Sequence, residues 1–335
     1  MSPVNRLLPV TLLAAVSLLG ADAELFSAIR KNDLAAVRTL VRNGAAANTK
    51  DSDGATPLMQ AALSASPEVV KFLLDSGADP NAANAAGVTA LLWGIGDIRK
   101  VRLLLEKGAN VNARSKAGKT PLLLAAGYSG SVETVRLLLA KGADLAAKDE
   151  GEANAVVLAA ESGDVEVLRL LLDKGGDPNS RAGAGFNETR FGTLVSERLE
   201  QSRKLSGGYT ALIVAMQQGN REAARLLLER GADAKAVTGG GVTALHEAAK
   251  RGDAEIVRTL LDQGAPVNRK DFEGNTPLLV AAASDAWNGE VVRALLAKGA
   301  DVKVNGAGGR TALGWAKTKG ETEIVKILKA AGAAE

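Results

Sequence analysis

Glycines recur along this chain at a nearly fixed interval: Gly54, Gly87, Gly118, Gly151, Gly208, Gly241, Gly274 and Gly309 stand 33, 31, 33, 57, 33, 33 and 35 residues apart. After most of them comes a short Thr-x-Leu start, an apolar pattern at helical spacing, a second leucine-rich stretch and a Gly-Ala-Asp-like stop. A unit this short cannot bury a core alone, so the period dictates a stack of like units. Function in such an array belongs to surfaces.

Each recurring residue type has a task in a helix-turn-helix unit. A threonine such as Thr56 or Thr276 at the N-cap accepts a hydrogen bond from an unpaired helix amide, and the proline after it loses no bond at the first helical position. The pairs Ala125-Ala126, Ala159-Ala160, Ala248-Ala249 and Ala281-Ala282 keep one side of the first helix thin, so that neighbours can approach. Leucines such as Leu137, Leu138, Leu170 and Leu171 give the second helix an apolar face. Gly142 or Gly231 then ends it, since glycine adopts a left-handed C-terminal cap without side-chain penalty.

Thr56-Pro57-Leu58, Thr120-Pro121-Leu122, Thr276-Pro277-Leu278 and Thr243-Ala244-Leu245-His246 resemble the Thr-Pro-Leu-His signature of ankyrin repeats. The string from Val101 to Asn112 is similar to the second ankyrin helix and its exit, and comparable strings end at Gly77, Gly142, Gly175, Gly231, Gly264 and Gly299. The resemblance covers essentially everything after residue 23. It implies an all-α ankyrin-type solenoid of about nine units, starting near residues 24, 54, 87, 118, 151, 208, 241, 274 and 309, with one long inserted loop. The end units should differ, having one face in water. The first reads Glu24-Leu25-Phe26-Ser27-Ala28-Ile29-Arg30 without a Thr-Pro start, and the last is rich in lysine.

The first 23 residues follow other rules. Arg6 precedes an apolar run from Leu7 to Leu19, and Ala21-Asp22-Ala23 offers small residues at the two cleavage-critical positions. This is the layout of a secretory signal peptide, and the run is short of the roughly 20 residues that span a bilayer. The expectation is therefore export with residues 1–23 removed, a mature array over 24–335, and no membrane insertion thereafter. The periplasm of a bacterial cell is the expected destination, the extracellular space the alternative. The sequence has no cysteine, which excludes disulfides, thiolate metal sites and a lipid anchor of the bacterial lipoprotein type.

Motifs that mimic catalytic sites fail specific tests. Gly118-Lys119-Thr120 ends like a phosphate-binding loop, but Ala113 stands where the first glycine is required. His246-Glu247 begins like a zinc protease helix, but the second histidine is Lys250 and the chain contains no other. The resemblance implies for His246 a local hydrogen bond that links neighbouring turns. No arrangement of histidine or lysine activates a nucleophile, and we expect no catalytic residue, metal or cofactor. Basic residues number 41 against 38 acidic, with no basic stripe interleaved with aromatics, so nucleic acid is not an expected partner.

The resemblance implies recognition of another protein by a monomeric array, through loop tips and first helices. The residue before the Ala-Ala pair is Gln60, Trp93, Leu124, Leu158, Val214, Glu247, Val280 and Trp315 in successive units, so two of three tryptophans share one slot. Tryptophan is enriched among residues that carry binding energy. Trp93 lies in a unit two residues short, where Gly94-Ile95 replaces Ala-Ala, and Trp287 falls in two extra residues at an expected inter-helix turn. Tyr128 joins them as a candidate contact. Charged loop residues Arg114, Lys116, Asp149, Glu150, Arg269, Lys270 and Asp271 are candidates for specificity.

The interval after Gly151 exceeds the period by 24 residues, placing an insertion at about 183–206. It opens with an expected flexible Ala182-Gly183-Ala184-Gly185 and carries Phe186, Arg190 and Phe191, followed by a stretch from Leu194 to Leu205 with helical spacing. Such insertions often map to a binding face, so these three residues are candidate partner contacts. A lid packed on the array and a neutral loop are the alternatives, and the insertion should split the array into two blocks. The functional expectation is a non-catalytic interaction module or scaffold. The alternatives are a secreted effector that binds a host protein, and a small-ligand binder or enzyme accessory using the insertion, with Arg181 or Arg190 as anion anchors.

Overall fold

The computed structural model describes residues 10–183, 208–320 and 322–333. Among them the chain forms eighteen α-helices in nine consecutive pairs. The pairs are α1 (Val10–Arg30) with α2 (Leu34–Arg42), α3 (Pro57–Ser64) with α4 (Pro67–Asp75), α5 (Ala90–Trp93) with α6 (Ile98–Glu106), and α7 (Pro121–Ala126) with α8 (Val132–Ala140). Then come α9 (Ala155–Ser162) with α10 (Val165–Asp173), α11 (Ala211–Gln218) with α12 (Arg221–Glu229), α13 (Ala244–Arg251) with α14 (Ala254–Asp262), α15 (Pro277–Ala283) with α16 (Gly289–Ala297), and α17 (Ala312–Lys317) with α18 (Glu323–Ala330). This is the all-α repeat architecture expected from the period.

The threonine caps are made as the pattern requires. The hydroxyl oxygens of Thr56, Thr210 and Thr276 accept from the amides of Met59, Ile213 and Leu279 at 3.3 to 3.4 Å, and all three threonines are buried. The unit with two missing residues pays in its first helix: α5 has four residues, and the Thr89 hydroxyl has no partner among the described residues. Gly94 ends α5 against α3, where a Cβ would lie 3.4 Å from that of Ala62. The adjoining α6 carries the buried Lys100, whose ammonium donates to the Ala62 carbonyl at 2.9 Å and so caps the C-terminal turn of α3.

Two compact units divide the contacts, one formed by residues 1–125 and 131–144, the other by 126–130 and 145–335. In the first, α1, α3 and α5 pack in series, as do α2, α4, α6 and α8. In the second, one row runs α9, α11, α13, α15, α17 and the other α10, α12, α14, α16, α18. The insertion therefore does not split the array, because the helices before it pack directly on those after it. Asn220, the N-cap of α12, donates to the carbonyls of Ala160 and Glu161, and Arg230 pairs with Asp173 at 2.7 Å.

Between pairs the chain makes a five-residue finger turn. The amide of Asp51 donates to the Ala55 carbonyl and that of Gly54 to Asp51, a pattern repeated at Asn84, Ser115, Asp149, Thr238, Asp271 and Gly306. The insertion interrupts one such finger. Its stem is an antiparallel ladder of β1 (Arg181–Ala182) on β2 (Tyr209–Thr210), with Ala182 opposite Tyr209, and Gly183 donates to the carbonyl of Gly151 on the preceding finger at 2.8 Å. Ala182 is thus a buried, paired strand residue instead of a flexible linker. The finger also corrects the register of one repeat. Glu152, with φ 58°, holds the left-handed position that Gly54, Gly87 and Gly241 fill elsewhere, so the unit starts at Glu152 and not at Gly151. The intervals around it become 34 and 56 residues.

The expected leader boundary at residue 23 falls inside α1, which runs unbroken from Val10 to Arg30. Among the residues whose burial is described, which start at Gly20, the first buried side chains are Leu25, Phe26, Ala28 and Ile29. Asp22 accepts a bond from the Ala46 amide at 3.0 Å. No helix among the described residues is long and apolar enough to cross a membrane.

Candidate recognition groove

Three consecutive first helices of the second unit, α13, α15 and α17, line an open groove of about 630 Å³ together with the finger turns that precede α13 and α15 and the turn that follows α15. Leu279, Val280 and Ala283 of α15 make an apolar floor. Val280 is half-exposed because it occupies the slot before the alanine pair, where the row of first helices meets solvent. From the matching slots of the flanking helices come Glu247 on one side and Trp315 on the other, both half-exposed. The sequence alignment of that slot therefore brings three of its eight residues into one feature.

The walls are polar and fixed by hydrogen bonds. His246 is buried, with Nδ1 at 2.8 Å from the Thr243 hydroxyl and 3.2 Å from the Thr243 amide, completing a capping box. Its Nε2 lies 3.1 Å from the carbonyl of Asn275 on the next finger, the inter-repeat link that the ankyrin resemblance implies. Burial pushes the imidazole below its ordinary value, opposed by the Asn275 carbonyl. Glu247 accepts from Gln217 at 3.4 Å, and Glu273 from Asn275 at 3.1 Å. On Trp315 the guanidinium of Arg310 stacks 4.6 Å from the ring centroid. Asp285 is held by Lys319, which also donates to the Ser284 carbonyl at 3.0 Å.

Of the aromatic candidates among the described residues, only Trp315 lines this groove. Trp93 ends α5 in the first unit and is half-buried there. Trp287 sits in the α15–α16 turn as expected, 43% exposed, with φ 44° and the Lys319 ammonium 5.3 Å from its ring centroid. Tyr128 is 56% exposed in the α7–α8 turn. Phe186, Arg190 and Phe191 lie outside the described residues, as does the stretch from Leu194 to Leu205. Arg181 is exposed on β1 and does not line the groove.

Two of the charged loop candidates have structural work. Asp149 is buried and its carboxylate accepts the Ala153 amide at 2.9 Å, and Asp271 likewise accepts from Glu273 and Asn275 at 2.9 and 2.8 Å. They build finger turns. Arg114, Lys116, Glu150, Arg269 and Lys270 are exposed.

Sequence reasoning missed Phe272, the most exposed large apolar side chain described, at 66%. It follows Asp271 at a finger tip where other fingers carry Ser52, Ala85, Lys116, Glu150 and Gly239, and that departure from small or polar residues was the available signal. No cluster of histidine and carboxylates able to hold a metal ion occurs among the described residues.

Paired helices, finger turns and the capping-box histidine define a helical-repeat protein. Matches to the family model for ankyrin repeats (3 copies) span residues 25–115, 95–182, 190–271, 231–306 and 268–334, and the chain belongs to the ankyrin-repeat family. No curated protein matches it. Ankyrin repeats are in general protein–protein interaction modules and typically non-catalytic.

Proposed function

We propose that this protein is a non-catalytic recognition module that binds another protein through the groove along α13, α15 and α17. One observation carries the reading: a half-exposed Trp315 walls an open groove of about 630 Å³ whose floor is apolar. An anchoring aromatic beside an apolar concavity is where binding energy concentrates in interfaces. A photo-crosslinking residue in place of Val280, in the cells that make the protein, should capture a partner protein that the same residue at Arg42 on α2 does not. Equal capture at both positions would overturn the assignment of the groove.

The proposed site of action is the bacterial periplasm, reached by export and removal of residues 1–23. The reading is supported by the Leu7–Leu19 apolar run with its small-residue exit, and by the absence of any buried side chain among residues 20–24. Cell fractionation with N-terminal sequencing decides it: a periplasmic protein beginning at Glu24 is expected, and an intact Met1 chain in the cytoplasm would refute it.

A further inference from the structure

The charged residues lining the groove are four carboxylates, Glu247, Asp271, Glu273 and Asp285, against one ammonium, Lys250. Asp285 is neutralised by Lys319, which leaves three acidic groups on the α13 and finger side. Arg251 belongs to the adjoining hollow that shares Glu247 and Lys250 and does not line this groove. Its guanidinium is committed to the carbonyls of Met216 and Gln217. The chain as a whole carries +3, so the groove is acidic against the average of its own molecule. The Trp315 wall already carries the Arg310 guanidinium, 4.6 Å from the ring centroid, so the acidic side of the groove is the one formed by α13 and the fingers.

The geometry points to a basic partner segment: a stretch of polypeptide in which an aliphatic side chain enters over Leu279, Val280 and Ala283 while flanking lysines or arginines face Glu247 and Glu273. Charge complementarity of this kind steers encounter and rejects acidic competitors. The assignment rests on the groove's being the recognition surface.

A random dodecapeptide display library selected on the full chain, and again on Trp315→Ala, tests it. The expected result is that peptides dependent on Trp315 carry a net positive charge around a leucine, valine or isoleucine. In fluorescence anisotropy those peptides should bind the double variant Glu247→Gln, Glu273→Gln about tenfold more weakly, with the difference shrinking in high salt. Trp315-dependent peptides that are neutral or acidic would overturn the charge assignment while leaving the groove as the binding surface. No Trp315-dependent peptide at all would overturn both. Where Trp315→Ala does not fold, Val280→Arg on the half-exposed floor is the blocking variant, read in the same way.

Discussion

His246 is the only histidine of the chain, and its two ring nitrogens are committed to Thr243 and Asn275 in a buried site. Burial lowers its affinity for protons in the folded state below the ordinary value of 6.5. Between that value and the lower folded one, the unfolded chain holds more protons, so stability falls as pH falls through this window. Thermal melts from about pH 7 to pH 5 should show the decline, and His246→Gln should lose part of the slope. An unchanged slope in the variant would assign the acid sensitivity elsewhere. The role of this residue was legible in the sequence through the resemblance to ankyrin repeats, which implies a local bond there, and the structure identifies Thr243, three residues away, as that partner. The roles of Asp149 and Asp271 were not, since an aspartate in a loop reads equally as a turn-former or as a free charge.

At the scale of elements, the exit loops hold neighbouring repeats together through asparagines. Asn81 accepts from the Asn110 amide at 2.7 Å and donates to the Gly108 carbonyl at 2.9 Å, and Asn48, Asn112, Asn179 and Asn268 make the same pair of bonds. Ala146, Lys235 and Lys303 stand at the matching position of other repeats. The bonds are exposed, so Asn81→Ala should cost about 1 to 2 kcal/mol in urea unfolding of the chain, the ordinary contribution of two hydrogen bonds. A loss below about 0.3 kcal/mol would mean water replaces the clasp at no cost. The sequence marks these loops as polar but not as clasps, because each bond joins residues of neighbouring repeats, 27 to 33 apart in most cases and 52 and 54 apart at Asn179 across the insertion. The short α5 was legible from its two missing residues, whereas the burial of Lys100 against the end of α3 was not.

At the scale of the molecule, the first buried side chain among the described residues is Leu25, within the long α1. No described side chain from residue 20 to 24 is buried, and the Asp22 bond to Ala46 is exposed. A chain starting at Glu24 should therefore melt within about 3 °C of the full chain, since one exposed hydrogen bond is worth at most about 1 kcal/mol. A drop of about 10 °C would place residues 1–23 within the folded array. The two compact units meet the same rule of composition, thin first helices and leucine-rich second helices, on either side of their division. That uniformity is why the dividing point could not be read from the repeats, and why the insertion drew attention as the expected divider.

The sequence by itself determined the repeat, its helix pairs, their caps and the surface slot shared by Glu247, Val280 and Trp315. These follow from local preferences and a helical period, which act over a few residues. Only the tertiary structure decided that three such slots border one groove with four carboxylates, that Phe272 stands out from a finger tip, and that the insertion leaves from a paired strand stem. Each of these depends on which side chains meet across about one repeat length or more, and on which charges are already committed to a neighbour. Spacing along the chain carries neither.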